Sequence, residues 1–193
     1  GANFGRFMKC HCGLHTLQLN NGTYKSCNSY FGHTYKRTIE KYKDSYYSVD
    51  NWANHVKSFG LGQILGTDMP IGAKGLVPTS KMYKKMYNGS PIRSSYIISN
   101  SIGQGEVLTS PIQLANMMAV VANQGYYYTP HIVKKIKGQK KKKKFTTKHY
   151  TTIDKQYFQP IIQGMEDVYN FGTASGLKVE GIKICGKTGT AEN

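Results

Sequence analysis

Long apolar segments are absent from this sequence. No run of about 18 consecutive apolar residues occurs, so we expect no part of it to span a membrane as a helix. Acidic residues are scarce as well, because 10 Asp and Glu face 26 Lys and Arg among 193 residues, which leaves a formal net charge of +16. The apolar content is ordinary for a globular protein. At this length we expect one domain with a sizeable hydrophobic core.

The basic excess is concentrated in one place. Lys140 to Lys144 form an unbroken run inside the wider lysine-rich segment 134–148. A like-charge block of this length is typical of a solvated loop. A basic excess also favours polyanions such as nucleic acid, but no aromatic-rich RNA-binding signature accompanies the lysines. We therefore expect a loop, and a basic, non-enzymatic nucleic-acid-binding module is the alternative.

Cysteines are too few for a disulfide framework in a domain of this size. The four are Cys10, Cys12, Cys27 and Cys185. Two of them, with His11 and His15, suggest zinc at first sight. However, Cys-x-Cys is tighter than the usual zinc spacing, and no second Cys/His pair completes four ligands. We expect neither a metal site nor a cofactor.

Helical periodicity predicts three helices. Apolar residues share one face from Asn28 to Tyr42 and again from Tyr157 to Tyr169. Between them, Ser110 is a good N-cap, and the Ser-x-x-Gln spacing to Gln113 forms a capping box. The residues that follow are apolar nearly all round, which predicts a buried helix that ends at Gly125. Frequent glycines and prolines predict that residues 59–78 are irregular.

The remaining patterns are typical of strands. Residues 126–136 and 145–150 read as two strands joined by the lysine loop, and alternation over 182–187 predicts a third. Helices and strands in this order indicate a mixed α and β domain, a sheet backed by helices with a helical region beside it.

Chemistry is suggested by the four residues Lys187-Thr188-Gly189-Thr190, which follow the third predicted strand. A glycine there leaves space for a ligand backbone to lie against the strand. The lysine offers a charge to a carboxylate, the threonine hydroxyls add donors, and a strand-edge N–H can hold an oxyanion.

Several ordered motifs resemble one family. Ser26-Cys27-Asn28 and Lys187-Thr188-Gly189 look like the second and third motifs of penicillin-binding proteins and class A β-lactamases. Further matching blocks resemble class B penicillin-binding proteins, most closely the elongation-type (penicillin-binding protein 2-like) branch. These blocks are 59–62, 66–68 with Pro70, 75–78, 101–106 with Thr109, Pro111 and 113–115, then 122–125, 130–133, 172–174 and 186–191. The resemblance implies an α+β fold of the β-lactamase/transpeptidase type, an antiparallel sheet backed by helices plus a helical subdomain.

The sequence departs from the family in what it lacks. The family's first motif, Ser-x-x-Lys, lies upstream of the second, but no serine precedes Ser26 here. The only literal match, Ser175 to Lys178, falls just before the third motif, where family order forbids it. The family's domain also continues past the third motif. We therefore expect residues 1–193 to be a partial transpeptidase domain, truncated at both ends and inactive alone.

The resemblance also implies residue roles. Ser26 would relay a proton toward the leaving amine, Asn28 would hydrogen-bond the substrate backbone, and Lys187 would set the local positive potential. Thr188 and Thr190 would bind the terminal carboxylate beside Gly189, with the Thr190 N–H as an oxyanion donor.

A parent protein of this family would cross-link peptidoglycan stem peptides by acyl transfer through a serine ester. It would bind β-lactam antibiotics, work with the glycosyltransferase of the elongation machinery, and face outward from the cytoplasmic membrane through an upstream anchor. A β-lactamase or a β-lactam sensor of the same fold is the alternative within the family's relatives.

Overall fold

The computed structural model describes residues 17–70, 72–177 and 179–189, and within these ranges the chain is mostly helical. The α-helices are α1 (Leu19–Tyr24), α2 (Asn28–Ile39), α3 (Ser45–Ser58), α4 (Ser80–Met86), α5 (Pro111–Ala122) and α6 (Phe158–Asn170). The strands are β1 (Tyr126–Tyr128) and β2 (Lys148–Tyr150). Short 3-10 helices cover Ser94–Tyr96, Ile98–Ile102, Lys143–Phe145, Lys155–Tyr157 and Ser175–Leu177.

The hydrophobic core falls into three clusters of buried side chains. The first joins α2, α3 and α4 and contains Tyr35, Ile39, Val49, Tyr83, Ile92 and Ile97. The second ties α3 to the irregular segment 59–78 through Ala53, Leu61 and Val77. The third joins α5, β1 and α6 through Val120, Tyr127 and Phe158. The irregular segment is therefore anchored by packing, although its described residues form only one β-bridge, Leu76 with Leu108.

The predicted helices form, but α2 and α5 end earlier than predicted, α5 at Ala122 and not at Gly125. The helix α2 begins at Asn28, as predicted, but ends at Ile39, three residues before the predicted end. Just beyond it, the Glu40 carboxylate accepts a hydrogen bond from Ser94 Oγ at 2.6 Å. The helix α3 was not predicted. Its N-cap is Asp44, whose Oδ1 accepts from the backbone N–H groups of Tyr46 and Tyr47.

The helix α5 begins as predicted but is not buried all round, so that prediction is wrong. The Gln113 side chain accepts a hydrogen bond from the Ser110 N–H at 3.0 Å, as in a capping box. However, the fully buried residues of its first two turns are Gln113 and Asn116, whereas Ile112 and Leu114 are 40% and 45% exposed. The reason is that the buried amides donate to backbone carbonyls of the irregular segment, which has few partners of its own.

The sheet is smaller than predicted. The strands β1 and β2 pair antiparallel over three residues each, with Tyr127 opposite His149. Residues 129–136 leave the ladder because Pro130 has no N–H and because the Asp68 carboxylate takes the N–H groups of Ile132 and Val133. Residues 143–145 are a 3-10 helix, so the predicted second strand is also shortened.

The predicted strand over 182–187 does not form among the described residues. The segment pairs with no other described strand, and the Ile182 side chain is 61% exposed. A strand is defined by its ladder, and alternation in the sequence does not supply a partner. Within the described part of the chain, no helix has the length and apolar character to cross a membrane.

The expectation that the chain has no metal site stays a prediction. The residues that suggested zinc, Cys10, His11, Cys12 and His15, lie outside the described residues. In the ranges that the structure describes, no group of three or more His, Cys, Asp or Glu side chains could hold a metal ion.

Candidate active site

Ser26 lies in the tight turn between α1 and α2. Its φ of +51° is left-handed, a conformation that costs a non-glycine residue about 1–2 kcal/mol. Two backbone hydrogen bonds hold the turn, from the Ser26 N–H to the Thr23 carbonyl (3.1 Å) and from the Cys27 N–H to the Gly22 carbonyl (2.9 Å). Strained residues of this kind are concentrated at functional sites, where the surrounding structure maintains them.

The residues after Ser26 complete the second motif. Cys27 is buried, and it is disulfide-bonded, which the sequence alone does not predict. Asn28 is the first residue of α2 and is half-buried. The turn therefore places both polar members of the motif at the junction of the two helices.

Close packing of α1 against α6 fixes this turn relative to the third motif. A Cβ on Gly164 would lie 2.8 Å from Thr23 Cβ and 3.0 Å from the Asn20 carbonyl oxygen. A Cβ on Gly172, just beyond α6, would lie 2.5 Å from the Tyr24 carbonyl oxygen. Both glycines thus permit backbone contacts that a larger residue would prevent.

The segment with the third motif lies along α6. The Gly186 N–H donates to the Met165 carbonyl at 3.2 Å, and a Cβ on Gly186 would approach the Tyr169 ring at 3.0 Å. Farther along, the hydroxyls of Thr173 and Thr188 lie 2.7 Å apart. No atom of the described residues would lie within 4 Å of a Cβ on Gly189, so the described part of the fold leaves space beside the backbone there.

The two motifs meet through Lys187 and Ser26. Lys187 Nζ donates to Ser26 Oγ at 2.7 Å, although the two residues are 161 positions apart in the chain. It also donates to the carbonyl of its neighbour Thr188 at 2.8 Å. Partial burial lowers the pKa of Lys187 below the ordinary lysine value. Because the ammonium donates to Ser26 Oγ, the hydroxyl proton of Ser26 is directed toward another acceptor.

The structure therefore brings together Ser26, Lys187 and Thr188, three of the residues that the motifs single out. Asn28 and Gly189 lie on the same two segments, and Thr190 lies outside the described residues. Thr173 was missed as a site residue, although its motif Gly172-Thr173-Ala174 was one of the blocks that carried the resemblance. The signal was present, but only the fold shows that its hydroxyl contacts Thr188.

A separate cavity lies beside the site. Its volume is about 350 Å³, and its lining includes Glu166, Tyr169, Asn170, Val179 and residues 181–184. Neither Ser26 nor Lys187 lines it. Lys183 forms an ion pair with Glu166 at 3.3 Å there, so this lysine is committed to α6 while Lys187 is committed to Ser26.

Comparisons with known proteins agree with these motifs. The family description "Penicillin binding protein transpeptidase domain" matches residues 3–193. The chain is 32% identical over 151 residues to the peptidoglycan D,D-transpeptidase MrdA of Acinetobacter baumannii. This match covers 75% of this chain and 22% of that protein. The chain spans only about a fifth to a quarter of the length of the first curated relatives that it matches.

Solved structures give the same result. The penicillin-binding protein PBP2 of Pseudomonas aeruginosa, determined in complex with WCK 5153, is 26% identical with a TM-score of 0.65 over 83% of this chain and 35% of that chain. A chain of a peptidoglycan synthase complex that coordinates polymerization and crosslinking is 26% identical with a TM-score of 0.73 over 93% of this chain and 29% of that chain. The expected transpeptidase/β-lactamase-like fold is thus confirmed, with the small two-stranded sheet described above.

Proposed function

We propose that this chain, which belongs to the transpeptidase domain family of MrdA-type class B penicillin-binding proteins, forms one wall of an acyl-transfer site. The substrates of that site would be peptidoglycan stem peptides. The observation that carries the proposal is the hydrogen bond between Lys187 Nζ and Ser26 Oγ. It joins the second and third motifs of the family in one place, although their roles in this chain are inferred.

The pair is suited to moving a proton. In acyl transfer through a serine ester, the leaving amine must gain a proton as the peptide bond breaks. Ser26 can donate its hydroxyl proton to that amine and regain one from Lys187, whose lowered pKa makes it a better acid than an exposed lysine. The pair gives up one proton and one positive charge in this step, because Lys187 becomes neutral as the leaving amine gains the proton.

The same wall is suited to binding the substrate's carboxyl terminus. The Lys187 ammonium supplies positive potential, and the hydroxyls of Thr188 and Thr190 would donate to the terminal carboxylate. The Asn28 amide would bond the peptide backbone, and open space at Gly189 leaves room for that backbone to approach. The Thr190 N–H would supply one oxyanion donor.

The nucleophile is not among these residues. No serine precedes Ser26 in the 193 residues, and Ser175 lies in an exposed 3-10 helix. We propose that residues 1–193 are part of a transpeptidase domain and that this chain alone binds penicillin without forming a stable acyl-enzyme. In the whole protein, the domain would lie on the outer face of the cytoplasmic membrane, held by an anchor, and would cooperate with a peptidoglycan glycosyltransferase.

The alternatives are not favoured. The curated relatives include peptidoglycan D,D-transpeptidases of the cell envelope, and the solved structures include penicillin-binding proteins of the same type, so a β-lactamase or β-lactam sensor has less support. A nucleic-acid-binding module rests on the lysine run alone.

Fluorescence polarisation with a fluorescent penicillin tests the proposal. Replacing Lys187 by Gln removes a charge-assisted hydrogen bond worth about 1.5–3 kcal/mol, so the affinity should fall by about tenfold to a hundredfold. The matched control is Lys183→Gln, which removes the same charge four residues away and should change the affinity by less than about twofold.

Equal losses in the two lysine variants would contradict the assignment of Lys187. A fluorescent band that survives denaturing electrophoresis would show that the chain contains its own nucleophile, contrary to the proposal.

A further inference from the structure

The lysine-rich segment has a fixed position on the fold. The two residues just before it are held by the Asp68 carboxylate, which accepts from the N–H groups of Ile132 (3.0 Å) and Val133 (2.8 Å). Its last part is held by Lys144 Nζ, which donates to the Gly66 carbonyl at 2.9 Å. Both ends are therefore fastened to the same turn, residues 66–68, and the segment between them projects from it.

Four of its charges have no partner in the described part of the chain. The ammonium groups of Lys140, Lys141, Lys142 and Lys143 form neither an ion pair nor a hydrogen bond with any described residue, and all four side chains are exposed. Lys134, Lys135 and Lys137 add to the same surface. The Asp68 carboxylate, which lines the same cavity as these lysines, is occupied by the backbone N–H groups of Ile132 and Val133.

Large aliphatic side chains are exposed among these lysines. Ile132, Val133 and Ile136 are 75%, 48% and 51% exposed. A cavity of about 170 Å³ lies in the segment, with Val133, Ile136 and Phe145 among its lining residues and Lys134, Lys135 and Lys140–Lys142 around them. An apolar floor with a basic rim differs from an ordinary solvated loop, which has no reason to expose three aliphatic side chains together.

We propose that residues 132–143 form a docking surface for an anionic phospholipid layer. The lysines match the phosphate headgroups, and the exposed aliphatic side chains match the boundary between headgroups and acyl chains. Nucleic acid fits less well, because it offers no partner for Ile132 and Ile136, and because Phe145, the aromatic of the segment, packs against the His131 ring at 4.7 Å and is not presented for base stacking.

The test is flotation of the 193-residue chain with vesicles of phosphatidylcholine, with and without phosphatidylglycerol. Binding should require phosphatidylglycerol and weaken as salt rises above about 0.1 M. Each lysine near an anionic surface strengthens binding about fivefold, so neutralising Lys140–Lys143 to Gln should weaken it by about a hundredfold or more. The matched control replaces four exposed lysines of other elements by Gln: Lys36, Lys43, Lys81 and Lys85. It removes the same charge and should retain most of the binding.

A second variant separates a lipid layer from other polyanions. Replacing Ile132 and Ile136 by Ser keeps every charge and should weaken vesicle binding about tenfold or more, while retention on a DNA column stays unchanged. The proposal is overturned if phosphatidylglycerol has no effect, if the control lysines matter as much as Lys140–Lys143, or if the Ser variant binds vesicles as well as the original chain. Lysine-dependent DNA retention without vesicle binding would assign the surface to nucleic acid instead.

Discussion

The contact between Gly172 and the end of α1 allows a sharp prediction. A Cβ at this position would lie 2.5 Å from the Tyr24 carbonyl oxygen and 2.9 and 3.1 Å from Val168 Cα and O. All three are backbone atoms, so no side-chain rotation relieves the overlap, and the helices must separate. Overpacking of this kind costs about 1–3 kcal/mol. Because Tyr24 is two residues before Ser26, the displacement should also weaken the contact between Ser26 and Lys187.

The matched control for Gly172→Ala is Gly176→Ala, four residues on. Within the described ranges, no atom would lie within 4 Å of a Cβ at Gly176, and neither glycine has a left-handed φ. Both changes restrict the unfolded chain and stabilise by about 0.4–1 kcal/mol through that effect, which cancels in the comparison. In urea unfolding at equal m-values, we expect the free energies of unfolding of the two variants to differ by the cost of the overlap, about 1–3 kcal/mol. The Gly172→Ala variant should therefore have the lower urea midpoint. Equal midpoints would refute the proposed close approach of α1 and the residues after α6.

Two further predictions concern the irregular segment. Gln113→Ala should lower the free energy of unfolding by about 2 kcal/mol or more, because Gln113 Nε2 donates to the carbonyls of Gln63 and Lys74 at 2.8 and 2.9 Å. Urea unfolding measures this loss, and the control is Gln159→Ala, which changes an exposed glutamine. Equal losses in the two variants would contradict the prediction. Backbone hydrogen bonds from Val133 and Ile132 lower the pKa of Asp68. The stabilisation by this carboxylate should therefore be present above the unfolded carboxyl pKa of about 3.9 and be lost as pH falls through the lower folded pKa. Asp68→Asn should remove this part of the pH dependence of stability, and an unchanged pH dependence would contradict the prediction.

Local patterns in the sequence were sufficient for the features that depend on neighbouring residues. The start of α5 follows from capping chemistry, since Ser110 is its N-cap and Pro111 its first residue. The helix ends at Ala122, before the predicted Gly125, and the left-handed residue beyond it is Gln124 with φ of +56°, while the Gly125 N–H closes onto the Val120 carbonyl at 3.0 Å. The family motifs identified Ser26 and Lys187, and the fold places them in contact.

Features that depend on distant partners could not be predicted in this way. The apolar pattern of α5 hides the fact that its first two turns bury polar side chains, because the carbonyls that need Gln113 lie 39 to 50 residues away in the chain. The alternation over 182–187 is genuine, but a strand also needs a neighbour to pair with. Likewise, Thr173 becomes a site residue only when α6 brings it to Thr188.

The central claim is that Ser26 and Lys187 act as one unit at a penicillin-binding site, and a double-mutant cycle on the affinity for fluorescent penicillin tests it most directly. The variants are Ser26→Ala, Lys187→Gln and the two combined, with near-ultraviolet circular dichroism to confirm folding. Residues that share a hydrogen bond show coupling energies of about 0.5–3 kcal/mol, so we predict that the combined variant loses less affinity than the sum of the single losses. Additive losses within about 0.3 kcal/mol would show that the two residues act independently and would contradict the claim.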